Sequence, residues 1–319
     1  MKALAKQLRY ELQRFKVEKN SIETLFIGGG TPSTVAPELY EDVFQIIRPY
    51  FQKDIEITSE ANPNSATKEW LKGMAALGVN RISFGVQSFN EKKLKLLNRA
   101  HTPKIAVEAV YAAQHAGFKN ISLDLIYGVQ GDDKALLLHD LKTAFSLPIN
   151  HLSAYALTIE AHTPFEKRPE MAQEELELTR WLFDTIKQHG FEQYEISNFG
   201  TYKSRHNLGY WQYKDYIGVG AGAVGKYKDK RFYPVTEIES YIQNPLNIKE
   251  EHLSQEDIQI EKMFLGFRSC VGVNTQSLND DQKIKASILV EEKKILLQEG
   301  ILYNLDFLLA DELALFLTS

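Results

Sequence analysis

The sequence predicts an α/β fold built on a parallel β-sheet, and two patterns carry this prediction. Short apolar runs of strand length recur through the first half of the 319-residue chain, and patterns with helical spacing separate them. Turn residues such as Gly, Asn and Pro stand where a helical pattern gives way to the next run. Alternation of this kind is typical of a sheet whose parallel strands are joined by helical crossovers.

The predicted elements follow in order from the N-terminus. In MKALAKQLRYELQRF, charges interrupt every apolar run and leucines recur at helical spacing, which predicts a first helix and not a signal peptide. Strands are predicted at 24–28, 54–58, 79–84, 119–125 and 150–156. Helices are predicted between them, at 36–50, 67–77, 91–97, 103–116 and 132–145. A further helix and a sixth strand-like run (FEQYEISNF) follow, at 172–189 and 191–199.

Composition gives the bounds on function. The chain is 44% hydrophobic and 25% charged, with a formal net charge of −5, which provides no basic surface for nucleic acid. A single cysteine, Cys270, excludes an internal disulfide and fits a reducing, cytoplasmic compartment. No stretch of sequence is long and apolar enough to span a bilayer, so an integral membrane protein is not expected. Association with a membrane surface and homodimerisation stay open.

Polar residues follow the predicted strands at the end where a parallel sheet binds its ligands. From the first predicted strand to the fifth they are Thr31, Glu60, Gln87 with Ser88, Asp124, and Ser153 with Tyr155. One such strand end would be ordinary, but polar groups at five strand ends along the same edge favour a binding face. A carboxylate at Glu60 offers acceptors for a ribose diol or an ammonium group. Asp124 lies inside an apolar run, and a buried carboxylate needs a partner.

Two alternatives remain for the groups around these strand ends. Arg81, Arg99 or a ligand would satisfy Asp124, and a purely structural ion pair between Asp124 and Arg99 is the competing interpretation. The loop after the first strand reads FIGGGTPS, which has neither P-loop nor dinucleotide-binding spacing. Three glycines allow close approach of backbone to a ligand, whereas a single one would more simply serve a turn with positive φ. We interpret the three together as a ligand contact.

Eight motifs in order resemble one known family. They are FIGGGTPS, EANPNS, GVNRISFGVQSFN, LNRAH, NISLDLIYG, HLSAYALTIE, YEISNF and SRHNLGYW. Together, over nearly the whole chain, they resemble the coproporphyrinogen III oxidase-like branch of the radical SAM proteins, and within it the heme chaperones. The resemblance implies a partial (β/α)6 barrel, lacking its first strand in this chain, and a C-terminal helical, winged-helix-like domain.

The resemblance also implies a site for S-adenosyl-L-methionine at the top of the barrel. Its methionine amino group would contact Gly29, Gly30 and Thr31. The rest of the nucleoside site would be lined by Glu60, Gln87, Arg99 and Asp124. These are the strand-end positions that the polar pattern singles out independently.

The chain departs from the family at the [4Fe–4S] cluster. Proteins of this branch carry a CxxxCxxC loop whose thiolates bind three irons, but the only cysteine here is Cys270, and the eight histidines lack metal-ligand spacing. We therefore expect no cluster ligands, weak S-adenosylmethionine binding at best, and no oxidase activity from this chain. The run TLFIG is then expected to form an exposed sheet edge. The interpretation we favour is that Met1 is an internal methionine of a longer protein; a natural cluster-less protein is the alternative.

The stretch SRHNLGYW carries a second candidate chemistry. His206 is a candidate ligand of heme iron, and Tyr210 and Trp211 are candidates to flank a porphyrin. The alternative for an isolated histidine beside aromatics is a hydrogen-bonded structural residue. In the heme chaperones this HNxxYW pattern is linked to heme binding, so the resemblance favours ligation by His206.

The function implied is that of a heme chaperone that binds heme or a related porphyrin and passes it to apo-hemoproteins such as respiratory enzymes. The alternatives are an oxygen-independent coproporphyrinogen III oxidase and a catalytically inactive, cluster-less binding protein. Three consecutive segments are predicted: a partial barrel with the S-adenosylmethionine-type site, an aromatic and glycine-rich segment with the HNLGYW motif, and a C-terminal helical domain. Their bounds are 1–196, 197–250 and 251–319.

Overall fold

A curled, half-barrel sheet of seven strands dominates the structure, a computed structural model that describes residues 1–161, 163 and 165–319. Its strands are β1 (Ile22–Ile27), β2 (Phe51–Ala61), β3 (Arg81–Gln87), β4 (Asn120–Tyr127), β5 (His151–Ala156), β6 (Glu192–Gln193) and β7 (Asn198–Gly200). Their order in the sheet is β1-β2-β3-β4-β5-β7-β6. Strands β2 to β5 pair in parallel, as predicted, and β7 pairs antiparallel with β5 and with β6.

Helices connect the strands and continue to the C-terminus. They are α1 (Lys2–Arg14), α2 (Glu41–Ile47), α3 (Lys68–Leu77), α4 (Glu91–Leu96), α5 (Pro103–His115), α6 (Lys134–Phe145), α7 (Leu176–Gln188), α8 (Arg205–Trp211), α9 (Ile238–Gln243), α10 (Gln255–Phe267), α11 (Asp280–Glu291) and α12 (Ala310–Thr318). Side-chain caps fix several starts: Thr67 accepts a hydrogen bond from Trp70 N, and Asp133 accepts one from Leu136 N. Among the described residues, none of the helices combines the length and apolar composition that a bilayer crossing requires.

The sheet has one apolar and one polar face because successive side chains of a strand point in opposite directions. In β3, Ile82, Phe84 and Val86 are fully buried, and helix α5 packs against β3 and β4. Arg81 and Ser83 alternate with these residues and point to the other face. Strands β4 and β5 show the same alternation. The polar side chains predicted at the strand ends therefore belong to one face of the half-barrel.

Strand β1 ends the sheet of the described residues, which confirms the predicted edge. Each of its six residues is partly exposed, in contrast to the buried interior strands β3 and β4. The edge strand is apolar apart from Glu23 and Thr24. It is an exposed row of backbone groups of the kind that sheets usually cover.

Two predicted elements are wrong in detail. The single helix at 36–50 is instead a short α2 between two 3₁₀ turns. Pro49 lacks the N–H group that a helix continuing to residue 50 would need. The single sixth strand over 191–199 is the antiparallel pair of β6 and β7. The backbone N–H of Tyr194 donates to the carbonyl of Asn198, and this bond closes the turn between the two strands.

By compactness, the chain divides into two units. Unit 1 comprises residues 1–23, 39–55 and 204–319, and unit 2 comprises residues 24–38 and 56–203. Two of the four boundaries fall within β1 and β2. The division into three consecutive segments made from the sequence stays a prediction.

Unit 1 contains two small antiparallel sheets. The first has the order β10-β9-β8 and the second the order β11-β13-β12. Their strands are β8 (Gly225–Tyr227), β9 (Lys230–Pro234), β10 (Ile248–His252), β11 (Val273–Asn274), β12 (Ile295–Gln298) and β13 (Ile301–Asn304). Helices α10, α11 and α12 share a buried core with the second sheet, around Phe267, Leu289, Leu302 and Ala314. Three helices with a three-stranded sheet match the winged-helix-like content predicted for this region.

One buried amide links the N-terminal helix α1 to the later part of unit 1. The side chain of Gln7 is fully buried; its Nε2 donates to the carbonyl of Gly218 at 3.2 Å, and its Oε1 accepts from the N–H of Gly220 at 3.0 Å. The hydroxyl of Tyr241 donates to the same Oε1 at 2.7 Å. One side chain therefore joins α1 to three backbone and side-chain groups that lie more than 200 positions later in the sequence.

Candidate functional site

The glycine loop after β1 lies against the carboxylate of Glu60 at the end of β2. The backbone N–H of Gly29 donates to Glu60 Oε2 at 3.2 Å. A Cβ on Gly28 would collide with the ring of Phe26 and lie 3.1 Å from the Glu60 carboxyl, so this position requires glycine. Gly29 and Gly30 have φ angles of 79° and 61°, which the turn itself demands. Beyond their chain neighbours, no atom of the described residues lies within 4 Å of the position that a Cβ would take on either glycine. Both interpretations of the loop thus have a physical basis. The positive φ angles fit a turn that needs glycine, and the open space beside Gly29 and Gly30 leaves room for a ligand.

The carboxylate of Asp124 lies in a polar cluster on the same face of the sheet. Ser83 Oγ donates to its two oxygens at 3.3 and 3.5 Å. Burial raises the pKa of Asp124, and hydrogen bonds from Ser153 and Ser83 with the charges of Arg81 and Arg99 oppose this rise. Burial also lowers the pKa of Arg99, whose Nε is buried without a hydrogen-bond partner in the described residues. No ion pair between Asp124 and Arg99 within 4.0 Å is found in that part of the chain, so the two charges interact at longer range.

Glu60 and Asp124 are electrostatic neighbours. Burial raises the pKa of Glu60 most, the N–H of Gly29 lowers it, and the Asp124 charge raises it further. The structure therefore brings Gly29, Glu60, Asp124 and Arg99 into one network at the carboxyl ends of the first strands. Such a network offers acceptors to hydroxyl and ammonium groups and one unpartnered donor to a ligand.

The remaining sequence-predicted residues have their own local geometry. Gln87 ends β3 with a φ of 69°, which is unusual for a residue with a side chain, and the register of β3 with β4 shifts between Gly85 and Gln87. Backbone departures of this kind concentrate at ligand sites. The carbonyl of Thr31 accepts from the N–H and hydroxyl of Thr34 at 3.0 and 2.8 Å, so this carbonyl serves the 3₁₀ turn that follows.

Sequence reasoning missed one carboxylate of this face, Glu195. Its side chain is 1% exposed, Ser197 N donates to Oε2 at 3.3 Å, and Oε1 is buried without a hydrogen-bond partner in the described residues. Burial raises the pKa of Glu195 to about 7, against hydrogen bonds from Ser197 and Asn198. Burial, followed by the Asp124 charge, raises the pKa of the nearby Tyr155 to about 12. The polar–apolar mixture of YEISNF gave no periodicity from which this burial could be predicted.

The residues of unit 2 fit an S-adenosylmethionine-type ligand better than they fit an iron–sulfur cluster. Acceptors at Glu60 and Asp124 and the unpartnered Nε of Arg99 suit an amino acid and a nucleoside. A [4Fe–4S] cluster requires several thiolates. The sequence contains one cysteine, Cys270, and it lies in unit 1. No group of three or more potential metal ligands occurs among the residues that the structure describes.

The HNLGYW motif forms helix α8 in unit 1. Ser204 caps this helix by accepting from Asn207 N at 3.3 Å. His206 Nε2 lies 3.1 Å from the hydroxyl of Tyr210, and their rings meet edge to face at 4.9 Å. The Tyr210 ring also meets the ring of Tyr216 edge to face, at 4.7 Å. One surface of α8 thus presents an imidazole beside two aromatic rings, and Tyr210 is 40% exposed.

Trp211 does not share that surface. It follows His206 by five positions, which places it about 140° away around the helix axis. Its indole N–H is buried and has no hydrogen-bond partner in the described part of the chain. The structure therefore brings His206 and Tyr210 together, as the motif suggested, but adds Tyr216 in place of Trp211.

The end of α8 is tied to helix α10. The hydroxyl of Tyr213 donates to Glu261 at 2.5 Å, and Arg231 pairs with the same carboxylate at 2.5 Å. Desolvation lowers the pKa of Arg231, but the hydrogen bond to Glu261 and its charge outweigh this effect and raise it, so Arg231 stays protonated. These contacts fix the segment that carries Tyr216 relative to α8.

Comparison with known proteins finds matches along nearly the whole chain. The family model of the Radical SAM superfamily matches residues 3–144. The chain is 33% identical over 317 residues to the heme chaperone HemW of Lactococcus lactis, covering 95% of this chain and 83% of that protein. It is 32% identical over 308 residues to the heme chaperone HemW of Bacillus subtilis, covering 91% of this chain and 81% of that protein.

A solved structure has the same fold. Coproporphyrinogen III oxidase (HemN) from Escherichia coli, described as a radical SAM enzyme, superposes with a TM-score of 0.81. The match covers 99% of this chain and 82% of that chain at 17% sequence identity. At this identity the similarity establishes the fold alone.

Proposed function

Because this chain belongs to the HemW family of the radical SAM superfamily, we propose that it binds heme and delivers it to apo-hemoproteins. Three relatives that carry the chaperone name align with more than four-fifths of their own length. The observation in the structure that supports heme binding is the surface of α8 on which His206 and Tyr210 meet Tyr216.

This surface has the chemistry that heme binding needs. A neutral imidazole nitrogen is an axial ligand of heme iron, and aromatic rings pack against the flat porphyrin. The Tyr210 ring is exposed and available for such packing. The chaperone's acceptors would be apo-hemoproteins such as respiratory enzymes, which take the cargo once His206 releases it.

Unit 2 would hold S-adenosyl-L-methionine through Gly29, Gly30 and Thr31 at the amino group and through Glu60, Gln87, Arg99 and Asp124 around the nucleoside. When bound, this molecule would supply a sulfonium-activated group. The chain's own residues bind and orient it: Glu60 accepts from polar hydrogens, and Asp124 stays within reach of the positive charge of Arg99.

Radical decarboxylation of coproporphyrinogen is the weaker candidate function. It depends on a cluster for which this chain supplies one cysteine, and the similarity to the oxidase establishes only a common fold.

A hemin titration tests the proposed function. We expect a saturable Soret band with the wild-type chain, and we expect His206→Ala to weaken hemin binding by tenfold or more because the axial ligand is lost. His252→Ala is the matched control, since His252 is an exposed histidine of the same unit and its loss should leave the titration unchanged. Equal titration curves for His206→Ala and the wild type would reject α8 as the heme site. Transfer of the Soret band to an added apo-hemoprotein then tests delivery.

A further inference from the structure

One ring nitrogen of His206, Nε2, is already engaged in the structure. Its Nε2 lies 3.1 Å from the hydroxyl of Tyr210, a hydrogen-bond distance, and the two residues are one helical turn apart on α8. Iron would need the lone pair of that same nitrogen. The hydroxyl and the metal therefore cannot bind Nε2 at the same time.

The hydroxyl of Tyr210 can serve as the proton donor in this hydrogen bond, since a phenol keeps its proton at neutral pH. When it donates to Nε2, the imidazole carries its own proton on Nδ1, which is the neutral form whose Nε2 ligates metals. Edge-to-face contact with Tyr216 at 4.7 Å holds the Tyr210 ring in this position.

We propose that Tyr210 tunes the retention and release of heme by competing with the iron for Nε2 of His206. This inference rests on the proposed heme site. On binding, the hydrogen bond from Tyr210 to Nε2 breaks and the coordinate bond from Nε2 to iron forms; no electrons are transferred. On release the hydroxyl returns to Nε2. Since Tyr210 is 40% exposed, water can satisfy its hydroxyl in the heme-bound state.

The competition gives a chaperone a physical reason to bind its cargo less tightly than a heme enzyme does. A histidine without a competing donor would hold iron with its full affinity. A hydrogen bond that must be broken first lowers the net affinity by the strength of that bond, which for a neutral pair is modest. The exchange takes the axial nitrogen off the iron and returns it to its hydrogen bond with Tyr210, so the porphyrin can pass to the acceptor protein.

The test is a hemin titration of Tyr210→Phe, followed by Soret absorbance. The variant keeps the ring and its contact with Tyr216 but removes the hydroxyl. We expect the dissociation constant for hemin to fall about fivefold relative to the wild type. Tyr10→Phe is the matched control: Tyr10 is 42% exposed in the same unit, its ring lies against Arg14, and its variant should bind hemin like the wild type.

A second background separates this inference from the heme site itself. In a His206→Ala chain, adding Tyr210→Phe should change hemin binding by less than a factor of two, because there is no Nε2 to compete for. If His206→Ala abolishes binding while Tyr210→Phe binds hemin equally or more weakly, the heme site stands and the competition is refuted. If the wild type and Tyr210→Phe both fail to bind hemin, the heme site and this inference fall together.

A heme-free readout tests the hydrogen bond directly. The ¹⁵N shifts of the His206 ring report which nitrogen carries the proton and how strongly Nε2 is hydrogen-bonded. We expect the Nε2 resonance to move in Tyr210→Phe and to stay in place in Tyr10→Phe. An unchanged Nε2 resonance in Tyr210→Phe would show that the hydroxyl does not engage this nitrogen in solution, and would overturn the inference.

Discussion

Replacing Glu195 with Gln should stabilise the protein at neutral and alkaline pH and leave its stability unchanged in acid. The Glu195 side chain is 1% exposed, and burial raises its pKa from 4.5 to about 7 despite the hydrogen bonds that it accepts from Ser197 and Asn198. Between pH 4.5 and 7 the folded chain therefore binds this proton while the unfolded chain has lost it. By linkage, the stabilising contribution is complete below pH 4.5 and is lost as the pH rises through 7.

The size of the effect follows from the two pKa values. Each pKa unit corresponds to 1.36 kcal/mol, so a rise from 4.5 to about 7 amounts to about 3 kcal/mol of unfolding free energy. Glutamine approximates the protonated, neutral carboxyl in shape and hydrogen bonding. The difference in unfolding free energy between Glu195→Gln and the wild type should therefore grow from near zero at pH 4.5 to about 3 kcal/mol at pH 8.

Urea unfolding at several pH values between 4.5 and 8 measures this difference. The comparison must be made between variant and wild type, because other buried carboxyls, such as Asp124 and Asp140, also have raised pKa values and contribute in the same direction. Glu108→Gln is the control: its side chain is 64% exposed in the same unit, and its effect should be small at every pH. A Glu195→Gln difference that is flat with pH, or that falls as the pH rises, would refute the reasoning.

Two further predictions concern buried contacts. Lys93→Met should cost about 3–5 kcal/mol of unfolding free energy, because it leaves Asp132 buried and unpaired; the pair is 2.8 Å apart with both side chains 2% exposed. Adding Asp132→Asn should recover part of this loss in urea unfolding, and losses that simply add would contradict a coupled pair. Phe267→Ala should cost about 3–5 kcal/mol because Phe267 is 0% exposed in the core of the C-terminal helices. Calorimetry should show little change for Phe316→Ala, whose ring is 39% exposed; similar losses for the two variants would contradict the assignment of that core.

The sheet was predictable because its strands carry their own periodicity. In β3, the fully buried Ile82 and Phe84 alternate with the polar Arg81 and Ser83. This alternation is long enough to predict a strand, and its polar residues identify the polar face of the sheet. The carboxyl-end rule then places Glu60 with that face from sequence alone. The family resemblance points to the same residue. The hydrogen bond from Gly29 N–H to the Glu60 carboxylate is seen only in the structure, because neither the strand pattern nor the family motifs predict it.

Other features could not be read from the sequence because they depend on contacts between distant residues. The hairpin of β6 and β7 is set by a backbone bond from Tyr194 to Asn198, and the burial of Glu195 follows from that turn. A charged residue in a short mixed run carries no sign that it will be buried. The hydrogen bond between His206 and Tyr210 could have been predicted from the sequence, since residues four positions apart lie on the same face of a helix.

The glycine loop shows a different limit. Gly29 and Gly30 have positive φ angles that a turn requires whether or not a ligand binds there. The sequence interpretation assigned them to ligand contact because three glycines stand together at the face where the other polar strand-end residues converge. The structure supplies a conformational reason for these two and a steric reason for Gly28, so the number of glycines is not by itself an argument for a ligand.

The buried amide of Gln7 has a consequence for the order in which the chain folds during synthesis. Helix α1 leaves the ribosome first, but the groups that Gln7 binds, at Gly218, Gly220 and Tyr241, lie 211 to 234 residues further along. At typical translation rates of about 5–20 residues per second, α1 waits roughly 10–50 s for them. Helix α2, which α1 also contacts, is made much earlier than this segment. The hydrogen bonds of Gln7 therefore form late in synthesis, when an early contact of α1 is already in place.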